Sequence, residues 1–285
     1  MGSQTVRATV TGIPTLIGAP FDGSSSFQRG PAQAPAAIRA ALQAASSNSW
    51  TEDGLDLAVP GMLADAGDSL VGPDANSQVA RLAIEEGVSR VLAGGGRPLV
   101  LGGDHSITYP VLRAMARAYQ GLTIVHFDAH GDLYDHYLGD RYSHACPFAR
   151  IMEESLASRL LQYGIRTLSQ HQRDQAARWN VEIREMRHWT GPESLAIAGP
   201  VYLSVDLDVL DPAYIGGINH PEPGGLSVRE VITMIQQLDG DLVGADVVEL
   251  SPPQDSSPRS ALVAAKIVKE LAAAMHRSRW IGDPR

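Results

Sequence analysis

The chain reads as an α/β protein built on a mostly parallel central sheet with helices packed against it. Short apolar runs alternate with longer stretches at helical spacing, which is the pattern of βαβ units. Hydrophobic residues make up 44% of 285 positions, enough for one large core. No repeat, low-complexity tract or linker interrupts the chain, so 1–285 is expected to be a single domain. The polar residues of chemical interest follow directly on apolar runs, and ligands of parallel sheets bind at those strand ends.

In chain order, strands are expected at Pro14 to Gly18, Leu99 to Gly102, Thr123 to Asp128, Arg159 to Ile165 in part, Val181 to Arg184, Val201 to Asp206 and Leu242 to Glu249, each a short apolar run. Helices are expected where apolar residues recur every three or four positions: Ala34 to Ala45, Asn76 to Ala93, Tyr109 to Tyr119, Cys146 to Glu154, Gln170 to Trp179, Ser227 to Leu238 and Ser260 to Met275. Ser227 reads as an N-cap, and Glu230 three residues on completes a capping box. Gly23 to Pro35 and Ala213 to Gly225, dense in Gly and Pro, read as long loops at one edge of the sheet.

The formal charge of −9 supplies no basic stripe for nucleic acid or an anionic membrane, and it suits a small cationic substrate. Cys146 is the single cysteine, so no internal disulfide can form. No signal peptide and no apolar run of about 18 residues is visible, and the expectation is a cytoplasmic protein.

Three segments carry the chemistry: Gly102-Gly103-Asp104-His105-Ser106, Asp128-Ala129-His130-Gly131-Asp132, and Ser204-Val205-Asp206-Leu207-Asp208 running on to Asp211-Pro212. The donors are spaced at a period of two, which sends each set to one side of an extended strand end. Asp128, Asp132, Asp206 and Asp208 in one pocket carry about four negative charges, and carboxylates a few Å apart cannot all stay ionised without a counterion. Two divalent cations would neutralise them. Oxygen and imidazole donors without thiolate point to Mn²⁺ or a similar first-row ion, with shared carboxylates holding two ions roughly 3.5 Å apart and acidifying water between them.

Taken singly, Gly-Gly-Asp-His is an ordinary turn after a strand, and Asp-x-His-x-Asp an ordinary polar strand end. Together, each after an apolar run, they point to a site. Asp104 reads as a brace for the His105 turn, and Asp211 before Pro212 as a turn opener. His126 reads as a packed strand residue, and Cys146 as a small filler without an activating base.

In this order and at these intervals, the motifs resemble the ureohydrolases: arginase, agmatinase and their relatives. The resemblance runs from Leu16-Ile17-Gly18-Ala19-Pro20 to Gly240-Asp241-Leu242-Val243-Gly244-Ala245-Asp246-Val247-Val248-Glu249. Tyr142-Ser143-His144-Ala145 and Glu222-Pro223-Gly224-Gly225-Leu226-Ser227 are most similar to the arginases of plants and their bacterial counterparts. It implies a three-layer arginase-like fold and two Mn²⁺ per subunit. His105, Asp128, Asp132 and Asp206 would hold one ion and His130, Asp128, Asp206 and Asp208 the other, with Asp128 and Asp206 bridging. Glu249 would receive the guanidinium, His144 would move a proton, and Asp132, Glu249 and His144 would form the catalytic set. A homo-oligomer, trimer or hexamer, is implied as well.

The substrate is expected to be a cationic guanidino compound, arginine ahead of agmatine. Tyr134 and Arg141 are candidate substrate contacts; Arg141, Arg173 and the backbone amides near Ser24 to Ser26 are candidate partners for an α-carboxylate. Gly131 stands where plant-like members usually have Pro, and Ile215-Gly216-Gly217 replaces a usual Ala-Pro-Gly, so both loops are expected to be looser. Thr167-Leu168-Ser169 follows Arg166 where animal-type arginases carry aspartates for the substrate α-amino group. A zinc deacetylase of similar fold needs only two aspartates and a histidine, and an inactive binding homologue would have lost donors. The six donors and Glu249 argue against both.

Overall fold

The computed structural model describes residues 12–72 and 77–278. Asn76 and the outermost residues of the expected 1–285 domain lie outside the described residues. Eight strands form one sheet: β1 (Ile13–Gly18), β2 (Ala64–Asp68), β3 (Gly96–Leu101), β4 (Thr123–Phe127), β5 (Arg159–Ile165), β6 (Glu182–Glu185), β7 (Leu195–Asp206) and β8 (Leu238–Val248). Their order is β2-β1-β3-β8-β7-β4-β5-β6, and every pairing is parallel. Seven helices accompany them: α1 (Ala34–Leu42), α2 (Ser77–Ala93), α3 (Thr108–Ala118), α4 (Pro147–Glu153), α5 (Gln170–Trp179), α6 (Val228–Gln236) and α7 (Arg259–Arg277).

A parallel sheet must be covered on both faces. Here α1, α6 and α7 bury Ile38, Ile235 and Leu271 with Leu99, Val125 and Leu203 on one face. The other face packs Ile84, Leu112 and Phe148 of α2, α3 and α4 against Val100, Ile124 and Tyr202. β3 and β4 are buried at every position, which is why they carry short apolar runs, broken only by the buried Arg97, Thr123 and His126. The Ser227–Glu230 capping box is present at the start of α6.

The sequence shows no sign of β2. Its residues, Ala-Asp-Ala-Gly-Asp, are mostly exposed and lack alternation, and pairing with β1 plus two ion pairs from Arg39, to Asp65 at 2.8 Å and Asp68 at 2.6 Å, hold it at the sheet edge. β7 and β8 begin earlier than their apolar runs, at Leu195 and Leu238, because they pair with each other beyond the core.

The sheet's architecture places the chemistry. β3, β8, β7 and β4 are neighbours at the centre, and their carboxyl ends lead directly into His105, Glu249, Asp206 and Asp128. Gly103 permits the tightest approach, since a Cβ there would lie 1.8 Å from the Phe21 carbonyl oxygen. Asp104 does brace the His105 turn, accepting from Ser106 N at 3.1 Å and from Ser24 N at 2.9 Å. Asp211 opens its turn by accepting from Ala213 N at 2.9 Å and Gly224 N at 2.7 Å.

Arg166 ties this edge together. Its half-buried guanidinium donates to the carbonyls of Gly164, Asp208, Val209, Leu210 and Glu222. No other described donor could replace five bonds at once, and buried carbonyls left unpaired are costly. Arg166→Ala should therefore lower the unfolding free energy by about 2 kcal/mol or more in urea titration, with Arg166→Lys recovering only part. A change within experimental error would refute this role for Arg166.

Candidate metal centre

The six expected donors converge. His105 Nδ1 lies 3.1 Å from Asp128 Oδ2, 3.1 Å from Asp132 Oδ2 and 3.0 Å from Asp206 Oδ2. His130 Nδ1 lies 3.3 Å from Asp128 Oδ1 and 3.0 Å from Asp208 Oδ2. Asp128 thus presents one oxygen to each group. Asp206 Oδ1, the atom that would complete its bridge, accepts from Asp208 N at 2.9 Å instead.

The tautomer of His105 sharpens the point. Ser204 Oγ donates to Asp246 Oδ1 at 2.6 Å, so it accepts at 3.0 Å from His105 Nε2–H, and Nδ1 is the atom turned to the carboxylates. Burial opposes a charge on this imidazole, yet Asp128, Asp132 and Asp206 together drive its pKa well above normal. A proton cannot answer all three, because it makes one bond along one line. Nδ1 is buried and makes no well-formed hydrogen bond to any of the oxygens. Equal approach of three oxygens to one nitrogen is the geometry of a shared cation, and the donor set fits a first-row divalent metal.

The carboxylates report the same excess of charge. Burial, then repulsion from Asp208 and Asp128, pushes Asp206 well above the ordinary carboxylate range. Burial and Asp128 push Asp208 up to about 6. Asp132 and Glu249 also hold left-handed backbone, with φ of 47° and 64°, a strain that non-glycine residues carry mainly where surroundings impose it.

A cavity of about 400 Å³ opens over the cluster, lined by His130, Asp132, Tyr134, His144, Asp206, Asp208 and Glu249 among others. Glu249 Oε1 accepts from His105 N at 2.8 Å and His144 Nδ1 at 3.0 Å, while Oε2 is buried without a partner. An orphaned, buried carboxylate oxygen facing a cavity is poised for a cationic donor. Tyr134 lines the wall, its ring stacked on His171.

Some expectations fail. Arg141 pairs with Asp135 at 3.3 Å and Glu153 at 2.8 Å, Arg173 pairs with Glu185 at 2.9 Å, and neither lines the cavity. Carboxylates of the Asp135 loop and α4 hold Arg141, and one of β6 holds Arg173. The Ser24 amide is spent on Asp104, and the Ser25 amide on Asp22 O. The groups that do line the mouth are neutral: Tyr137, Thr167, Ser169 and Gln172. The two departing loops are both braced by side chains. A Cβ on Gly131 would meet Gln172 Oε1 and Leu168 Cδ2 at 2.8 Å, so those side chains fill the space, and Gln162 clamps the Gly131 carbonyl at 2.6 Å. Gly216 N and Gly217 N both donate to Ser260 Oγ, at 3.2 and 2.8 Å. Cys146 is inert, its thiol pushed up to about 12 by burial.

Behind the donors lies a row that sequence reading passed over. Gln162, His126, Ser204 and Asp246 are register partners on β5, β4, β7 and β8. Gln162 Nε2 donates to His126 Nδ1 at 2.9 Å, so His126 Nε2–H donates to Asp128 Oδ2 at 2.8 Å. His126 is packed, as expected, but it also aims a donor residue. His220 and the side chain of Ser26, from the two Gly-rich loops, also line the cavity; His220 was not singled out, and Ser26 was expected to act only through its backbone amide.

Comparison with known proteins agrees with this geometry. The arginase family model matches residues 14–274. "Arginase 1, mitochondrial" of Arabidopsis thaliana is 47% identical over 273 residues, covering 91% of this chain and 80% of that protein. "Arginase 2, chloroplastic/mitochondrial" of the same plant is 45% identical over 284 residues, covering 92% and 80%. The solved arginase from Medicago truncatula superposes with a TM-score of 0.86 at 42% identity, covering 92% of this chain and 87% of that one. The chain therefore belongs to the arginase family, metal-dependent ureohydrolases that cleave carbon–nitrogen bonds of guanidino compounds. The same relatives overturn the cytoplasmic expectation, since their names place them in mitochondria and chloroplasts. That expectation rested on a missing signal, and a missing signal specifies no compartment. No described helix is long and apolar enough to cross a membrane.

Burial opposes protonation of His144, but the hydrogen bond and charge of Glu249 outweigh it and raise its pKa to about 9. The ordinary value is 6.5, so in metal-free protein the His144–Glu249 pair stabilises the fold fully below pH 6.5 and loses that contribution as pH rises towards about 9. NMR titration of His144 in metal-free protein should show a midpoint near 9, falling to 6.5 or below in Glu249→Gln. An unmoved midpoint would show that Glu249 does not set it.

Proposed function

We propose that this chain hydrolyses L-arginine to L-ornithine and urea, with two Mn²⁺ per subunit. His105, Asp128, Asp132 and Asp206 would hold one ion, and His130, Asp128 and Asp208 the other. The observation that carries the reading is the pairing of two unmet demands in one cavity: three carboxylate oxygens around His105 Nδ1, and the unpartnered Oε2 of Glu249. The identity with plant arginases supports arginine as substrate. A catalytic domain of this kind is proposed to assemble as a homo-oligomer, a trimer or hexamer as the family resemblance implies.

When bound, the ions supply Lewis acidity and lower the pKa of water in the cavity. The chain's own residues do the rest. Glu249 Oε2 accepts from the planar guanidinium, whose charge matches its carboxylate and whose N–H groups lie in one plane. With Oε1 already held by His105 N and His144, this carboxylate cannot swing, so the guanidino carbon is brought over the donor cluster in one orientation. His144, protonated through Glu249, supplies the proton that the departing amine needs. The deacetylase alternative, with one ion on two aspartates and a histidine, leaves Glu249 and half of the six donors without a task.

At the mouth, an α-carboxylate would meet neutral donors of Tyr137, Thr167, Ser169 and Gln172. Without that carboxylate the half-exposed donors return to water, so agmatine is disfavoured less than a charged partner would make it. Urea release under Mn²⁺ saturation should give a higher kcat/KM for arginine than for agmatine. Agmatine ahead by about tenfold would reassign the chain to the agmatinases, and urea from neither would remove the reading.

A further inference from the structure

The Gly-rich loop after β1 brings a hydroxyl into the cavity for which the scheme above has no task. Ser26 Oγ lies 2.8 Å from His144 Nε2, and His144 Nδ1 lies 3.0 Å from Glu249 Oε1. Both ring nitrogens are therefore committed. The His144 backbone N–H donates to Ser24 O at 3.2 Å, and Asp104 holds Ser24 N at 2.9 Å and Ser25 Oγ at 3.1 Å. The same Asp104 caps the His105 turn, so the serine loop, His144 and the metal cluster share one frame.

An imidazolium is only a donor. With His144 charged, Nδ1–H points to Glu249 and Nε2–H to Ser26, so Ser26 Oγ accepts and its own hydrogen is left over. Ser26 lines the cavity, so that hydrogen is the one available to substrate. For His144 to protonate an amine directly, it would first have to give up one of its two bonds.

We propose that Ser26 is a catalytic residue of the reaction proposed above, its hydroxyl delivering the proton to the departing amine as it takes another from His144. The C–N bond breaks with its electron pair going to the amine nitrogen, which gains the hydrogen from Ser26 Oγ. The Nε2–H bond of His144 breaks and a new Oγ–H bond forms. Ser26 ends as it began, His144 ends neutral with Nδ1–H still on Glu249, and a proton from solvent restores it. Nothing is oxidised or reduced.

The inference rests on the ureohydrolase reading, and the test separates the two. Canavanine, the oxyguanidine analogue of arginine, releases an alkoxyamine of much lower basicity, which departs with little help from an acid. Urea release is measured for wild type, Ser26→Ala and Ser26→Thr with both substrates, and the result is the ratio of kcat on arginine to kcat on canavanine. That ratio is internal to one preparation, so partial loss of folded or metal-loaded enzyme cancels. Ser26→Ala should lower turnover of arginine by about 10²-fold while turnover of canavanine falls less than about threefold, and Ser26→Thr should restore the wild-type ratio. In metal-free protein, the nitrogen resonance of His144 Nε2 should move in Ser26→Ala and return in Ser26→Thr. An equal loss on both substrates, or no loss, overturns the role of Ser26. Wild type that releases no urea from either substrate removes the ureohydrolase reading itself.

Discussion

Four carboxylates crowd two imidazole nitrogens at the ends of three central strands, β3, β7 and β4, and the molecule is arranged around that excess of negative charge. Carboxylates buried this closely repel one another by more than folding can absorb unless a cation sits among them. Three oxygens at 3.0 to 3.1 Å from His105 Nδ1 locate the place for one. The neighbouring cationic demands follow from it. Glu249, strained into left-handed backbone, keeps one oxygen unpaired beside the cluster, and His144 is held charged to balance it.

Holding the donors needs a second layer, and the parallel sheet provides it by register. Gln162, His126, Ser204 and Asp246 lie side by side across β5, β4, β7 and β8; Gln162 orients His126, and Asp246 orients Ser204. Asp246 also collects Thr108 at 2.8 Å and Tyr202 at 2.9 Å, so its charge is spread over three hydroxyls. His105 and Asp128 are thereby aimed from behind by neutral hydrogen bonds, which add no further charge to the cluster. Arg166 performs the corresponding task at the mouth, where it closes the Gly164 carbonyl of β5 and four carbonyls of the loops that carry Asp208 and Glu222.

The donors were legible because their chemistry is local: paired at a period of two, directly after apolar runs, in three short segments. The central strands were legible because each carries a short apolar run, Leu99–Leu101, Ile124–Val125, Val201–Leu203 and Leu242–Val243. The polar row was not, since each of its residues is a single polar side chain on a different strand, and only register joins them. β2 was hidden because its pairing and Arg39, not its own side chains, make it a strand. Arg141 and Arg173 misled because a cation near a pocket in sequence was credited to the pocket, whereas nearby carboxylates had claimed it. Gly131 misled in the opposite direction: the absent side chain is replaced by Leu168 and Gln172, brought in from α5 and the loop before it.

The most direct test of the central claim is calorimetric titration of the metal-free protein with Mn²⁺, followed by thermal unfolding of the same samples. The account predicts two ions per chain and a melting temperature that climbs with Mn²⁺ concentration, because ligands that bind only the native state stabilise it. Binding of a single ion, or of none, would contradict it.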